Sequence, residues 1–342
     1  MSSPTPSRLE FDAATLERFL RLKLPGLQGG MRLQRIGGGQ SNPTFFVDFD
    51  NRRLVLRKQP GPDILPGAHA VDREARIMHA LAATDVPVPV VLFFHAERDI
   101  VGTPFYVMEC LEGRVFASYE LPGVTPAERR QMYRSMAETL ARLHNVDFAA
   151  IGLGDYGKPG NYFQRQINRW GKQWRDTKVS DNPSLERLLE WLPANIPPGD
   201  ESSIAHGDYR AGNLMFHPTE PRVIAVLDWE LSTLGHPLAD LAYHCIAWHT
   251  AADEYYGLRG LELAALGIPS EAEHIADYYR VSRRQEPIQQ FHFVFALFRI
   301  AVIFEGIAAR ARQGIAVADN AEQVGRLGAV FSQRAMQLVD GA

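Results

Sequence analysis

Apolar and polar residues alternate along this chain with two different periods, and the change of period comes near Gly113. Residues 11–22 carry Leu16, Phe19 and Leu20 at helical spacing behind Asp12, a residue suited to an N-cap. Period-two runs follow. Residues 33–36 predict a short strand, and 45–49 and 53–57 predict two more, flanking the hairpin signal Asp50-Asn51. Gly37-Gly38-Gly39-Gln40-Ser41-Asn42 therefore falls inside an antiparallel sheet. Residues 70–83 return to the helical period, with Val71, Ala75, Met78 and Ala82 on one face. Pro87 and Pro89 break that pattern, and 90–94 and 104–109 predict strands. The expectation is a five-stranded antiparallel sheet with one helix packed on it.

Beyond Gly113 the helical period dominates. Residues 126–143 predict an amphipathic helix with Pro126 in its first turn. Residues 162–177 and 185–192 predict a helical hairpin bounded by Pro159, Pro183 and Pro193. Further helices are expected at 238–250, 271–286 and 289–311, with a last one near Leu338. The predicted class is α+β: a β-rich lobe over 1–112, a mostly helical lobe over 113–342, and a cleft between them.

Composition narrows the function classes. Of 342 residues 46% are hydrophobic, enough for a sizeable core. The net charge of −4 and the lack of a Lys/Arg-rich segment give no footprint for nucleic acid. The Ser/Pro-rich start has no apolar signal region. The apolar run 291–304 is interrupted by His292 and Arg299 and is shorter than the ~20 residues a bilayer needs, so a buried helix is expected and no membrane role. Two cysteines, Cys110 and Cys245, lie in apolar sequence without metal-site spacing, which fits a cytoplasmic protein.

Candidate chemistry concentrates between His206 and Glu230. His-Gly-Asp-Tyr-Arg-Ala-Gly-Asn puts Asn213 five residues after Asp208, and Val-Ile-Ala-Val-Leu then ends in Asp228. Phosphoryl transfer needs such a set: one carboxylate to orient an acceptor hydroxyl, and an amide oxygen with a second carboxylate for Mg²⁺. Capping and turn duty is the alternative for each residue alone. His206 reads as a pin for the loop, and Arg210 as a partner of the transferred group, of the acceptor or of an acid. Asp240 reads as structural, and His244 and His249 as core or rim histidines. The glycines at 37–39 let backbone N–H groups approach phosphates, with Ser41 adding a hydroxyl; an ordinary turn is the alternative, and Pro43 removes one N–H nearby.

Arg-Ile-Gly-Gly-Gly-Gln-Ser-Asn, Val-Leu-Arg-Lys-Gln-Pro, Ala-Val-Asp-Arg-Glu, His-Gly-Asp-Tyr-Arg-Ala-Gly-Asn and Leu-Asp-Trp-Glu-Leu together resemble the aminoglycoside phosphotransferase family. This is the small-molecule branch of the protein-kinase-like fold, to which choline kinases also belong. The motifs look most like the subgroup whose kinase domain also occurs fused to acyl-CoA dehydrogenases; no dehydrogenase part is expected in these 342 residues. The resemblance, over residues 33–331, implies a two-lobed kinase using ATP and Mg²⁺. It implies Asp208 as the catalytic carboxylate, Asn213 and Asp228 as metal ligands, and Gly38, Gly39 and Ser41 at the phosphates. The strand cation falls on Arg57, where typical kinases have Lys. Lys58 is then a solvated edge residue or a helper. Glu74 holds the strand cation, and the segment from Glu109 to Leu111 meets the adenine through its backbone.

Acceptor choice is expected from the hairpin and the late helices. Arg165 and Arg169 are four apart, as are Trp170 and Trp174, so each pair shares a helix face. A polycationic aminoglycoside calls for carboxylates; this hairpin is cationic and aromatic, which favours a hydroxy acid or hydroxyacyl thioester. Core packing and a solvated face are the alternative. Arg299 and Glu305 are further candidates, as charges in an apolar helix. The leading expectation is an ATP- and Mg²⁺-dependent small-molecule kinase with a functional link to an acyl-CoA dehydrogenase. Its rivals are an aminoglycoside or choline kinase and a nucleotide-binding pseudokinase scaffold. A protein kinase is a weaker option, because Asp228 is followed by Trp-Glu and then soon by the Asp240 helix.

Overall fold

The computed structural model describes residues 11–37, 42–61, 70–178, 181–255, 257–312 and 325–341. The chain divides into two compact units, Met1–Ala83 with Val88–Glu112, and Thr84–Pro87 with Gly113–Ala342.

The first unit holds helix α1 (Ala13–Lys23), strands β1 (Arg32–Arg35), β2 (Thr44–Phe49) and β3 (Arg52–Lys58), helix α2 (Val71–Leu81), and strands β4 (Val91–His95) and β5 (Phe105–Glu109). Asp12 starts α1 by accepting from the N–H groups of Ala14 and Thr15. The five strands pair antiparallel in the order β1-β2-β3-β5-β4, so β3 is central. Strict alternation on β2 buries Phe45, Val47 and Phe49. With Leu54 and Leu56 of β3 and Leu16 and Leu20 of α1 they form one core. Both expected helices are present, and α1 also packs on the sheet, where one packed helix was expected.

The second unit begins with β6 (Arg114–Val115), α3 (Pro126–Asn145), α4 (Tyr162–Thr177), α5 (Pro183–Ala194) and β7 (Ser203–Ala205). It continues with β8 (Leu214–Phe216), β9 (Val223–Val226), β10 (Thr233–Gly235), α6 (Pro237–His249), the single turn α7 (Leu263–Leu266), α8 (Glu271–Val281), α9 (Gln290–Arg312) and α10 (Leu327–Val339). Helix starts carry the expected chemistry: Thr125 caps α3 ahead of Pro126, and Ser270 and Glu273 form a capping box on α8. α8 ends at Val281, short of the expected 286.

α9 is apolar all round and packs against α4, α5, α6 and α10. Its bounds match the expected 289–311 to within one residue. By length and composition it could cross a membrane, but 78% of its most apolar window is buried inside the protein. Two small sheets, β6-β8-β9 and β10-β7, interrupt the helices and frame the loop from His206 to Asn213.

Candidate active site

In the first unit, the register of β3 against β5 sets Arg57 opposite Tyr106, so both side chains leave the same face of the sheet. Both meet Glu74 of α2. Its Oε2 lies 2.9 Å from Arg57 Nε and accepts from the Tyr106 hydroxyl at 3.1 Å. Its Oε1 accepts from Asn42 Nδ2 at 2.6 Å. The Glu74 side chain is 1% exposed and that of Arg57 16% exposed, so the acid is an internal post and the cation keeps a face toward solvent. Alternation sends Lys58 to the other side, with Leu54 and Leu56, where it is buried. Lys58 is thus not a solvated edge residue: β3 lies between two other strands, and the Lys58 Nζ sits 3.5 Å from the Pro60 carbonyl.

Gly38, Gly39 and Ser41 lie outside the described residues. Glu109 closes β5, with its N–H on the Val90 carbonyl at 3.0 Å and its carboxylate 3.9 Å from Arg52. Among the described residues no backbone carbonyl accepts from the Leu111 N–H.

In the second unit, the β8–β9 hairpin explains why an Asp at a strand end matters. Leu214 pairs with Val226, and the ladder runs one step further, Leu227 N–H donating to the Asn213 carbonyl at 2.8 Å. Asn213 and Asp228 are so brought to one end of the hairpin. Asn213 gives its amide N–H₂ to the Asp208 backbone carbonyl and to Asp208 Oδ2, both at 2.8 Å. That fixes the amide orientation, with the nitrogen rather than the oxygen on Asp208. Asp208 Oδ2 also accepts from Arg210 Nε at 3.2 Å, and Oδ1 accepts from the Tyr243 hydroxyl at 2.6 Å. Burial, and then the charge of Asp208, push the Tyr243 phenol well above its ordinary pKa, so it stays a donor. Burial works against the Arg210 charge, but Asp208 and the phenols of Tyr255 and Tyr243 outweigh it and hold its pKa above the usual arginine value.

The loop under Asp208 is pinned from three sides. His206 accepts from the Asp208 N–H on Nδ1 at 3.2 Å and donates from Nε2 to the Leu227 carbonyl at 2.9 Å. Buried Asp240, in the first turn of α6, accepts from the N–H groups of His206 and Gly207. Burial pushes its carboxyl up, but the hydrogen bond and charge of His144, with His206 and the Gly207 N–H, more than offset this and hold it below the ordinary range. Gly207 turns at φ +83, and a Cβ there would stand 2.6 Å from the Leu231 carbonyl oxygen, so only glycine fits. Arg299, buried on α9, donates from Nη2 to the Gly207 carbonyl at 2.5 Å. Its guanidinium also lies over the rings of Tyr243 and Trp170, 5.4 and 5.7 Å from their centroids.

Of the hairpin residues, Trp170 reaches the His206–Asn213 loop through Arg299, while Trp174 is core. Arg169 is exposed and stacks on Trp170, and Arg165 donates to the Lys158 carbonyl. Neither arginine contacts Asp208, Asn213 or Asp228. Glu305 is buried against Asn182 and serves the α5–α9–α10 packing. Beside Arg210 a small recess is lined by Tyr119, Tyr243, Ile246, Tyr255 and Ile300. Sequence reasoning missed Tyr243 as the partner of Asp208, and Asn42 and Tyr106 as partners of Glu74. For Tyr243 one signal was available: it lies three residues after Asp240, on the same helix face.

Among the described residues no cluster of His, Cys, Asp and Glu could enclose a metal by itself. One amide oxygen and one carboxylate suit Mg²⁺, which takes its other ligands from phosphates and water. A five-stranded antiparallel sheet bearing an Arg–Glu pair, and a helical unit bearing an Asp-x-x-x-x-Asn loop and a strand-end Asp, define the α+β protein-kinase-like class.

Within that class the chain belongs to the phosphotransferase enzyme family, whose sequence profile matches residues 32–277. It is 41% identical over 329 residues to acyl-CoA dehydrogenase family member 10 of Mus musculus, covering 95% of this chain and 31% of that protein. It is 39% identical over 342 residues to acyl-CoA dehydrogenase family member 11 of Gallus gallus, covering 96% and 43%. The chain thus spans less than half the length of these relatives. Among solved structures, a candidate aminoglycoside phosphotransferase from Ralstonia eutropha superposes with TM-score 0.89 at 44% identity, covering 97% of this chain and 99% of the other. A thermostable mutant of an aminoglycoside phosphotransferase, in ternary complex with AMP-PNP and hygromycin B, shares the fold at TM-score 0.62 and 17% identity, covering 94% and 99%.

Proposed function

We propose that this protein transfers the γ-phosphoryl group of ATP, with Mg²⁺, to a hydroxyl of a small molecule, and that the acceptor is a hydroxy acid or hydroxyacyl thioester. The carrying observation is the Asp208 carboxylate, gripped by Tyr243, Asn213 and Arg210, on the same hairpin end as Asp228.

In this reading Asp208 orients the acceptor hydroxyl and takes its proton as the oxygen attacks. The new O–P bond forms while the bridging P–O bond breaks and ADP leaves. Asn213 Oδ1 and an Asp228 oxygen would hold Mg²⁺, which neutralises charge on the phosphates. Arg57, steadied by Glu74, takes phosphate oxygens with its fork. The Glu109 carbonyl and Leu111 N–H take the base edge, and Gly38, Gly39 and Ser41 the phosphates. ATP is the choice of donor because a family relative of this fold was crystallised with AMP-PNP.

The acceptor choice is supported by the side chains around Arg210: the described residues lining the recess there are tyrosines, aliphatics and one cation, although the recess itself, about 20 Å³, has room for little more than one water molecule. Apart from the neighbouring Asp208, such side chains suit an apolar chain with an anionic group better than a polycation. Names among the curated relatives support a functional link to an acyl-CoA dehydrogenase.

ADP release, measured with ATP and Mg²⁺ over hydroxy acids, hydroxyacyl thioesters, an aminoglycoside and choline, tests both levels. Turnover should be highest with the first two. Faster turnover of the aminoglycoside or choline would overturn the acceptor assignment. Nucleotide binding without turnover of any acceptor would support the pseudokinase reading instead. Asp208→Ala should lower turnover by about a thousandfold, with an unchanged circular dichroism spectrum.

A further inference from the structure

Asp208 has three donors, and they are not equivalent. Arg210 and Asn213 belong to the same loop as Asp208 and both bind Oδ2, so they move with the loop. The Tyr243 hydroxyl comes from α6 and is the one donor to Oδ1 among the described residues. An ionised carboxylate oxygen has two lone-pair directions. With Tyr243 on one of them, the other remains for the acceptor hydroxyl. The direction of that remaining lone pair depends on where the phenol stands.

The phenol itself is held. Its ring is buried, and the Arg299 guanidinium lies 5.4 Å from the ring centroid. The same guanidinium donates to the carbonyl of Gly207, the residue before Asp208. One buried cation on α9 thus fixes both the backbone that carries Asp208 and the ring that holds its side chain.

We propose that Tyr243, backed by Arg299, is the positioning residue that sets which lone pair of Asp208 Oδ1 meets the acceptor hydroxyl. This rests on the phosphotransferase reading above. Rotating the carboxylate away from the attack line lowers the rate of transfer without touching nucleotide binding, because near-attack geometry is lost and no phosphate contact is. Trp170 joins the assembly from the hairpin, through the other face of Arg299.

Tyr243→Phe keeps the ring and removes only the hydroxyl. Expected are a melting temperature within about 2 °C of wild type, a nucleotide KM within about twofold and a kcat lowered about tenfold or more. A crystal structure of the variant should show the Asp208 carboxylate rotated or in two rotamers. Arg299→Lys, which keeps a cation that reaches toward the Gly207 carbonyl but lacks the planar guanidinium over the ring, should reproduce the kcat loss in weaker form. An unchanged kcat, or a kcat loss matched by an equal loss of nucleotide affinity, overturns the proposal. If the wild type turns over no acceptor, the phosphotransferase reading falls by itself. The Asp208 rotamer then decides the positioning claim, and a single unmoved rotamer in Tyr243→Phe sinks it.

Discussion

At the scale of single residues, Asp228 shows a site holding a conformation its sequence does not favour. Its backbone sits at φ 62, ψ 67, the left-handed region, where a side chain of ordinary chirality is disfavoured. Glycine adopts that conformation freely. Asp228→Gly should therefore be more stable than Asp228→Ala, by up to ~1 kcal/mol in urea unfolding, while both lose turnover. Asp228→Ala keeps the strain, so it should lose turnover with no stability gain. A marked loss of stability in the glycine variant would show that the Asp228 side chain holds the fold as well as the site. Asp208, Asn213 and Asp228 were legible because their spacing is local or ends a strand. Their partners were not: Tyr243 meets Asp208 across 35 residues, Asn42 meets Glu74 across 32 and Arg299 meets Gly207 across 92. A contact of that range leaves no period in the sequence.

At the scale of elements, the long helices and the five-stranded sheet could be read because each repeats its pattern over several turns or alternations. β6, with two residues, and β7 and β10, with three each, are too short to show a period. Yet these short strands frame the loop from His206 to Asn213. One group that fixes that loop to the helices is Asp240, which reads as a structural helix-start residue in sequence and accepts two loop N–H groups. Asp240→Asn places an amide N–H₂ where an acceptor stood, so at least one buried loop N–H loses its partner. The expected loss is about 2–3 kcal/mol in urea unfolding, together with faster hydrogen exchange at His206 and Gly207. Equal stability with unaltered exchange at those two amides would mean the loop is held by His206 and Arg299 alone.

At the scale of the whole molecule, the second unit packs several histidines where water does not reach. Burial holds His244 and His292 down at about 4 and His236 at about 3; neighbouring positive groups add to the shift of His236. His274 is pushed well below its ordinary value, first by burial and then by His244, whose ring lies 4.9 Å away. These rings fold neutral. In the unfolded chain each takes a proton near pH 6.5, so between that pH and about 4 the unfolded state binds more protons than the folded one. Their contribution is complete above pH 6.5 and is lost as pH falls toward 4. At ~1.4 kcal/mol per pH unit, His244 alone accounts for about 3 kcal/mol across that window, a large share of a typical domain stability of about 5–15 kcal/mol. Urea unfolding at pH 7.5, 6.0 and 5.0 should therefore show stability falling steeply well above the carboxylate range. His244→Phe removes one titrating ring and the bond between its Nδ1 and the Tyr209 carbonyl. It should be less stable than wild type at pH 7.5, yet lose less stability on going to pH 5.0. Parallel pH profiles for the two proteins would refute the histidine origin of the acid lability and move it to the buried carboxylates, of which Asp240 is held below its ordinary range and so acts in a lower window.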